Sequence, residues 1–324
     1  MKTILTKEDK VKQIELSLDD KIKRSKELIL EWYLQFKGQV YVSFSGGKDS
    51  TVLLHLARSI KYCENIPAVF CDTGLEYPEV REHVKSVKNV IWIKPKLTFK
   101  QVIEKYGWPI ISKEQARYIY DLKHSESEYM KNLRLNGGKN GSMGKLSICW
   151  RPLVNTDFEI ASVCCDVMKK RPMKKFEKDT GSHPIIGTMA GESNLRYKQY
   201  LQGNCNAFSA AHPVSKPLSF WTEQDILEYI KRYNIKIPSV YGDIVESKCG
   251  LKTTGCNRTG CMFCMFGLHL EKHPNRFEQM KKTHPKQYDY IMNKLNGKHI
   301  MDVYLSCLKK DKLTGDLFEV QDAK

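Results

Sequence analysis

The spacing of apolar residues changes character along the chain. Between residues 8 and 36, Ile14, Leu18, Ile22, Ile29 and Trp32 recur so as to share one helix face. Residues 1–37 therefore read as an N-terminal helical arm. At Val40 the pattern shortens to a continuous apolar run, 40–44, followed by a helical stretch over 51–56. A second strand is expected at 68–71, a helix at 77–87 and a third strand at 90–93. Helices follow at 99–106 and 112–124, and a later strand at 184–187. Thr222, Glu223, Gln224 and Asp225 form a capping-box pattern that opens another helix. Strand–helix alternation of this kind predicts an α/β fold, with right-handed crossovers and a parallel twisted sheet carrying helices on both faces. The stretch 136–142, Asn-Gly-Gly-Lys-Asn-Gly-Ser, reads as a mobile loop that either closes over a substrate or merely links helices. From about residue 248 the chain turns to cysteines, then to basic helices from Asn275 onward. No internal repeat is visible.

The junction after the first strand carries the most chemistry. Ser45, Gly46, Gly47, Lys48, Asp49 and Ser50 sit between a strand and a helix. Backbone N–H groups and the positive end of a helix dipole point into such a turn and suit a phosphate. Two glycines let the backbone approach an anion without a Cβ in the way. Lys48 adds a point charge, and Ser45 and Ser50 add hydroxyls. The spacing is not the Walker pattern, which needs four residues between its first Gly and Gly-Lys. In an open α/β sheet ligands lie at the carboxyl ends of strands. Asp72, Thr73 and Gly74 follow the second strand and fall at the same end.

Composition narrows the classes. Of 324 residues, 41% are hydrophobic and 28% charged, as in ordinary globular proteins. No apolar run approaches about 18 residues, so no membrane partner is expected. The first residues lack the apolar core of a signal peptide, which predicts a cytoplasmic location. Net charge is +16, which favours an anionic partner, nucleotide or nucleic acid, or else a basic solvated surface. The 11 cysteines of a cytosolic chain suggest metal or redox chemistry rather than disulfides. Cys164 and Cys165 are adjacent, and Cys256, Cys261 and Cys264 cluster as C-x4-C-x2-C. The isolated cysteines read as small core hydrophobes. His273 and His284, among basic helical residues, read as solvated surface.

Six segments in order resemble the phosphoadenosine phosphosulfate reductase family, of the pyrophosphate-loop, adenine nucleotide α-hydrolase-like superfamily. They are the 45–50 loop (S-G-G-x-D-S), Asp72-Thr73-Gly74 with Tyr77-Pro78-Glu79, and Cys164-Cys165 followed by Lys169-Lys170-Arg171-Pro172. The others are the stretch 187–196 with Glu192-Ser193 and Arg196, then Pro217-Leu218 with Trp221-Thr222 and Asp225, and last the Cys261–Cys264 pair. Together they span residues 38 to 267. The resemblance implies a nucleotide-binding α/β domain at 38–247 and a Cys-rich, basic helical region at 248–324. It implies nucleotide contacts from Ser45, Gly46, Gly47, Lys48, Asp49, Ser50, Asp72, Thr73, Gly74, Glu192, Ser193 and Arg196. Lys48 and Asp49 are the candidate catalytic residues. Trp221 reads as core.

Cys164, Cys165, Cys261 and Cys264 match the four ligands of the family's [4Fe–4S] cluster, which marks its iron–sulfur branch. Cys256 is an alternative ligand. Zinc on Cys256, Cys261, Cys264 and His269 is the rival, and thiols without metal a third reading. Two departures stand out. Met189 replaces an arginine that binds the substrate's anionic end in many relatives, and the reductases' E-C-G-x-H motif is not found. Cys249, in Lys-Cys-Gly-Leu-Lys, resembles that motif only superficially and precedes the C-x-x-C pair.

Three functions therefore stay open. A sulfonucleotide reductase would bind an adenylyl sulfate and release sulfite, with a thioredoxin-like or other electron donor. An ATP-dependent sulfurtransferase would adenylate an acceptor such as tRNA or DNA. There Lys48 and Mg²⁺, positioned by Asp49, would offset charge on departing pyrophosphate. A nucleotide-binding regulatory protein without turnover is the third. The sequence does not fix the oligomeric state.

Overall fold

The computed structural model describes residues 6–139, 141 and 143–318, with side chains described through Leu308. Two compact units emerge. The first comprises the chain up to Asp72, Glu76–Pro95 and Arg171–Gly260; the second comprises Thr73–Leu75, Lys96–Lys170 and the chain from Cys261 onward.

The first unit is built on a six-stranded sheet. Its strands are β1 (Val40–Ser43), β2 (Ala68–Cys71), β3 (Val90–Ile93), His183–Ile186, Asn206–Ala207 and Val214–Ser215. The spatial order is β3, β2, β1, His183–Ile186, Val214–Ser215, Asn206–Ala207. All neighbours are parallel except the last pair, which is antiparallel. The expected α/β sheet is thus present and mostly parallel. Its order reverses at β1: β2 and β3 extend to one side, His183–Ile186 to the other. Such a switch point leaves a crevice at the carboxyl ends of the two flanking strands.

The arm is two helices, α1 (Lys7–Ile14) and α2 (Leu18–Gln35). Ser17 caps α2 by accepting from the Asp20 N–H, so the single periodic stretch breaks at residues 15–17. Leu18, Ile22, Leu28, Ile29 and Trp32 are buried in the sheet's hydrophobic core. The Pro217-Leu218-x-x-Trp221-Thr222-x-x-Asp225 segment clamps this helix. The Ser25 hydroxyl donates to the Pro217 carbonyl (2.8 Å) and accepts from the Trp221 indole N–H (2.9 Å). Trp221 is 1% exposed, so it is core, as the sequence suggests. Thr222 and Asp225 form the expected capping box on the helix Glu223–Arg232. Asp225 also accepts from the buried Lys21 ammonium at 2.7 Å.

Helix α3 (Lys48–Arg58) follows β1 and buries Val52, Leu53, Leu56 and Ala57. Helix α4 (Pro78–Ser86) follows β2. Pro78 stands in its first turn, where a missing N–H costs nothing, and Glu79 faces the positive end of its dipole. Cys63 lies in the same core, where burial pushes its thiol up to about 11.

The second unit is largely helical. Two short parallel strands, Ile110–Ile111 and Met265–Phe266, join its two halves. Helices Phe99–Tyr106 and Lys113–His124 form as expected. Glu128–Asn136 is a helix too, so Asn136 of the expected loop is helical, and Asn140 and Ser142 lie outside the described residues. Trp150, His269 and Tyr304 pack ring against ring, and the Tyr304 hydroxyl accepts from the His269 N–H (2.8 Å). His284, expected on the surface, is buried beside Thr283, because it ends the helix Arg276–Thr283 where the chain turns inward. No helix among the described residues is long and apolar enough to cross a membrane.

Removing one partner of a buried ion pair strands the other charge. Lys21→Ala is expected to lower unfolding free energy by about 3 kcal/mol, the low end for such pairs because Thr222 still donates to Asp225. A urea midpoint equal to wild type would contradict this.

Candidate functional site

The 45–50 loop is fixed by its own hydroxyls and by the helix behind it. The Ser50 hydroxyl donates to the Gly47 carbonyl (2.9 Å) and accepts from the Ser45 N–H (3.2 Å). The Thr51 hydroxyl donates to the same carbonyl (3.0 Å). Gly46 has φ +74, and a Cβ there would lie 2.6 Å from a Val84 methyl and 2.8 Å from a Val80 methyl. Only glycine satisfies both conditions. Gly47 caps α3 without a side-chain bond, and of that helix's first N–H groups the Lys48 one goes to the Tyr241 hydroxyl.

A cavity of about 350 Å³ lies at the switch point. That is within the range of small-molecule sites, about 300–1,000 Å³. Ser43, Ser45, Gly47, Asp49 and Ser50 line it from β1 and α3; Ile186, Gly187 and Thr188 line it from the neighbouring strand. Glu192, Arg196, Tyr241, Arg258 and Thr259 complete the wall. The Glu192 carboxylate accepts from both the Arg196 and Arg258 guanidiniums. Burial, and then the nearby Arg258 charge, hold the Arg196 pKa below its usual value, with Asp49 opposing.

Lys48 is not among the lining residues. Its side chain is 1% exposed, and its ammonium donates to the Asn257 carbonyl (3.0 Å) and pairs with Glu223 (3.1 Å) and Asp49 (3.4 Å). Burial works against its charge, but the Asp49, Glu223 and Tyr241 fields outweigh it, and the net pKa is raised. The Lys48 N–H donates to the Tyr241 hydroxyl (3.2 Å), which also bonds Thr259 (2.8 Å). Asp49 lines the cavity, and its buried Oδ1 has no hydrogen-bond partner among the described residues, only the ion pair with Lys48.

Four thiols meet in the second unit. Cys164, Cys165, Cys261 and Cys264 line one narrow cavity of about 10 Å³, room for roughly one water, together with Met168, Lys169, Phe99 and Phe266. Burial, then Cys165, Cys261 and Cys264, push the Cys164 thiol well above its usual range, with Lys169 opposing. Burial also raises Cys264, against Arg276 and Lys113. Arg276 donates to the Cys264 carbonyl (3.1 Å) and the Phe266 carbonyl (3.2 Å), holding the C-x-x-C turn. The donor set, four convergent thiols beside cations, fits an iron–sulfur cluster chemically. Among the described residues no three His, Cys, Asp or Glu side chains already stand at metal-binding spacing. Cys256 belongs to the first unit, where its thiol bonds the Tyr77 hydroxyl. His269 Nδ1 is taken up by the Tyr304 hydroxyl (2.7 Å).

Comparison with known sequences gives the family. A profile of the phosphoadenosine phosphosulfate reductase domain matches residues 39–137 and 89–266. The chain belongs to this family. The phosphoadenosine phosphosulfate reductase family comprises nucleotide-binding proteins of sulfur metabolism. A Methanocaldococcus jannaschii protein is 33% identical over 35% of this chain and 28% of its own length. The adenosine 5'-phosphosulfate reductase of Bacillus velezensis is 30% identical over 29% of this chain and 43% of its own. That of Staphylococcus haemolyticus is 25% identical over 68% of this chain and 72% of its own. The chain thus spans less than half of the first two relatives. The phosphoadenylyl-sulfate reductase structure from Candida auris is similar at 16% identity and a TM-score of 0.38, over 69% of this chain and 90% of that one.

Of the residues expected to bind nucleotide in this family member, Ser45, Gly47, Asp49, Ser50, Glu192 and Arg196 share the cavity. Gly46 sits beneath the turn and Lys48 is buried behind it. Asp72 is held by Arg81 (2.9 Å), the Thr73 hydroxyl accepts from the Leu75 N–H (3.2 Å), and Gly74 takes φ +74. Ser193 caps the helix Asn194–Gln202. None of these last four is a lining residue. Thr188, Tyr241, Arg258 and Thr259 escaped the sequence reading. The pairing of a basic residue with Thr just before the C-x-x-C was the one available signal.

Gly46→Ala is expected to cost at least about 1–2 kcal/mol through its left-handed backbone alone, with the Val84 clash added. Both the melting temperature and ATP affinity should fall. Native values for both would contradict the loop account.

Proposed function

We propose that this chain binds an adenine nucleotide, ATP or an adenylyl sulfate, with the phosphate end in the first unit's cavity, and acts in sulfur reduction or transfer. One observation carries this reading. The N-terminus of α3, the loop hydroxyls and two guanidiniums converge on a single cavity at the sheet's switch point. Backbone N–H groups orient the phosphoryl oxygens, and the arginines offset their charge. Lys48 keeps the loop in register by tying it to Asn257 and supplies a positive field from behind. The adenosine 5'-phosphosulfate reductases among its relatives support an oxidoreductase role.

Cys164, Cys165, Cys261 and Cys264 would hold a [4Fe–4S] cluster. Such a cluster, when bound, would supply one-electron chemistry. Lys169, Lys113 and Arg276 offset thiolate charge at this site. The zinc alternative needs Cys256, whose thiol bonds Tyr77, and His269, of which Nδ1 bonds Tyr304. The four-cysteine set is the better supported, because its thiols line one cavity.

A second reading has its own observation. The Asp49 carboxylate, a cavity-lining group whose buried Oδ1 has only the ion pair with Lys48, suits Mg²⁺, the usual companion of ATP. In that case an acceptor oxygen attacks the α phosphorus, the bond to pyrophosphate breaks, and an adenylate forms for sulfur to displace AMP. Met189 is buried and supplies no cation for a sulfate. The net charge of +16 suits a nucleic acid acceptor.

Anaerobically purified, reduced protein incubated with ATP or adenylyl sulfates separates the two. Sulfite release supports the reductase, and pyrophosphate release supports the transferase. Binding without either product would leave a regulatory protein and refute both enzymes. Lys48→Ala is expected to abolish nucleotide-dependent turnover with native circular dichroism; unchanged turnover would remove Lys48 from the machinery. Iron analysis should give about four atoms per chain. Loss of that iron in Cys261→Ser, but not in Cys256→Ser, is the expected pattern.

A further inference from the structure

Glu192 is the hub of the cavity's charged wall. Its side chain is only 14% exposed. One oxygen accepts from the Arg196 guanidinium and from the Met189 N–H at 2.8 Å. The other accepts from the Arg258 guanidinium at 2.5 Å. Arg196 comes from the helix Asn194–Gln202, and Arg258 from the loop after the strand Gly250–Thr253. Both line the cavity, with side chains 40% and 64% exposed. Two guanidiniums on one carboxylate leave an excess positive charge on this wall, and the charge of Asp49, which also lines the cavity, is offset by Lys48 behind it. Each guanidinium carries five N–H donors, so a single carboxylate leaves most of them available.

The chain around Arg258 is pinned on both sides. Before it, the Asn257 carbonyl accepts from the buried Lys48 ammonium. After it, the Thr259 hydroxyl bonds the Tyr241 hydroxyl. The backbone is therefore held at the loop while the exposed guanidinium can change partner. Glu192 is anchored by the Met189 N–H independently of either arginine.

We propose that Arg258 and Arg196 together grip the anionic end of the bound nucleotide, and that Glu192 is a resident competitor for them. Phosphoryl or sulfuryl oxygens entering the cavity displace the Glu192 carboxylate from both guanidiniums. A tetrahedral anion offers oxygens to two planar forks at once, which a lysine ammonium does not match. This rests on the nucleotide reading above and assigns the recognised group to its phosphate or sulfate end. It also gives the buried Lys48 a positioning role, holding the segment that presents Arg258.

Titration calorimetry with ATP and with inorganic pyrophosphate tests this on the full chain. Arg258→Ala is expected to weaken both ligands by about tenfold or more at an unchanged melting temperature. Arg258→Lys should recover little of that loss. Glu192→Gln keeps the bond from the Met189 N–H but removes the competing charge, so pyrophosphate should bind several-fold tighter. Wild-type affinity in Arg258→Ala overturns the role of Arg258. Weaker pyrophosphate binding in Glu192→Gln overturns the competition. No ATP binding by the wild-type chain overturns the nucleotide reading itself, and this inference with it.

Discussion

An anion held by main-chain amides needs a chain that leaves a strand, reverses and enters a helix within a few residues, here 44–47. Here that reversal is possible because Gly46 takes a left-handed backbone with no side chain against α4. Ser50 then closes the loop through Ser45 and Gly47, so the N-terminus of α3 faces the crevice where strand order reverses. Every other feature of the first unit's cavity is arranged around that turn. The strand His183–Ile186 brings Gly187 and Thr188 to its far wall, and the turn after it brings Glu192 and Arg196.

Charge in this cavity is distributed differently from what the loop's spacing suggests. The lysine beside the glycines does not face the cavity. Burial would neutralise an isolated ammonium, and Lys48 stays charged because Asp49 and Glu223 offset that cost. Having spent its donors on those carboxylates and on Asn257, it acts as a tie between the loop and the segment 257–259. The cations facing the cavity are arginines, whose planar forks suit phosphate and sulfate oxygens better than a point charge does.

Much of the fold could be read from local pattern. Strands 68–71 and 90–93 and the helix 99–106 have the bounds expected from their apolar runs, because each is short, strongly apolar and flanked by turn residues. The break between α1 and α2 was hidden, since Leu18 and Ile22 continue the face begun by Ile14; only Ser17 before two aspartates marks it. Strands of two residues, Asn206–Ala207 and Val214–Ser215, have no period to detect. The cavity was half visible. Residues adjacent to a glycine turn or inside a spaced motif announce themselves, as Ser45, Gly47, Asp49, Ser50, Glu192 and Arg196 do. Tyr241, Arg258 and Thr259 do not, because Tyr241 and the segment 257–259 are brought to the cavity by tertiary folding alone, with Tyr241 and Asn257 bonding Lys48 from about 200 residues away. The burial of Lys48 was invisible for the same reason: Glu223 and Asn257 are distant in sequence.

The amides and guanidiniums at the mouth of β1 are proposed to take the anionic end of an adenine nucleotide. Calorimetric titration of the intact, reduced protein with ATP at several salt concentrations measures this interaction. One saturable site is expected, with an affinity that falls as salt rises, because charge complementarity carries the binding. No saturable heat for ATP or any adenylyl sulfate, or an affinity indifferent to salt, would contradict it.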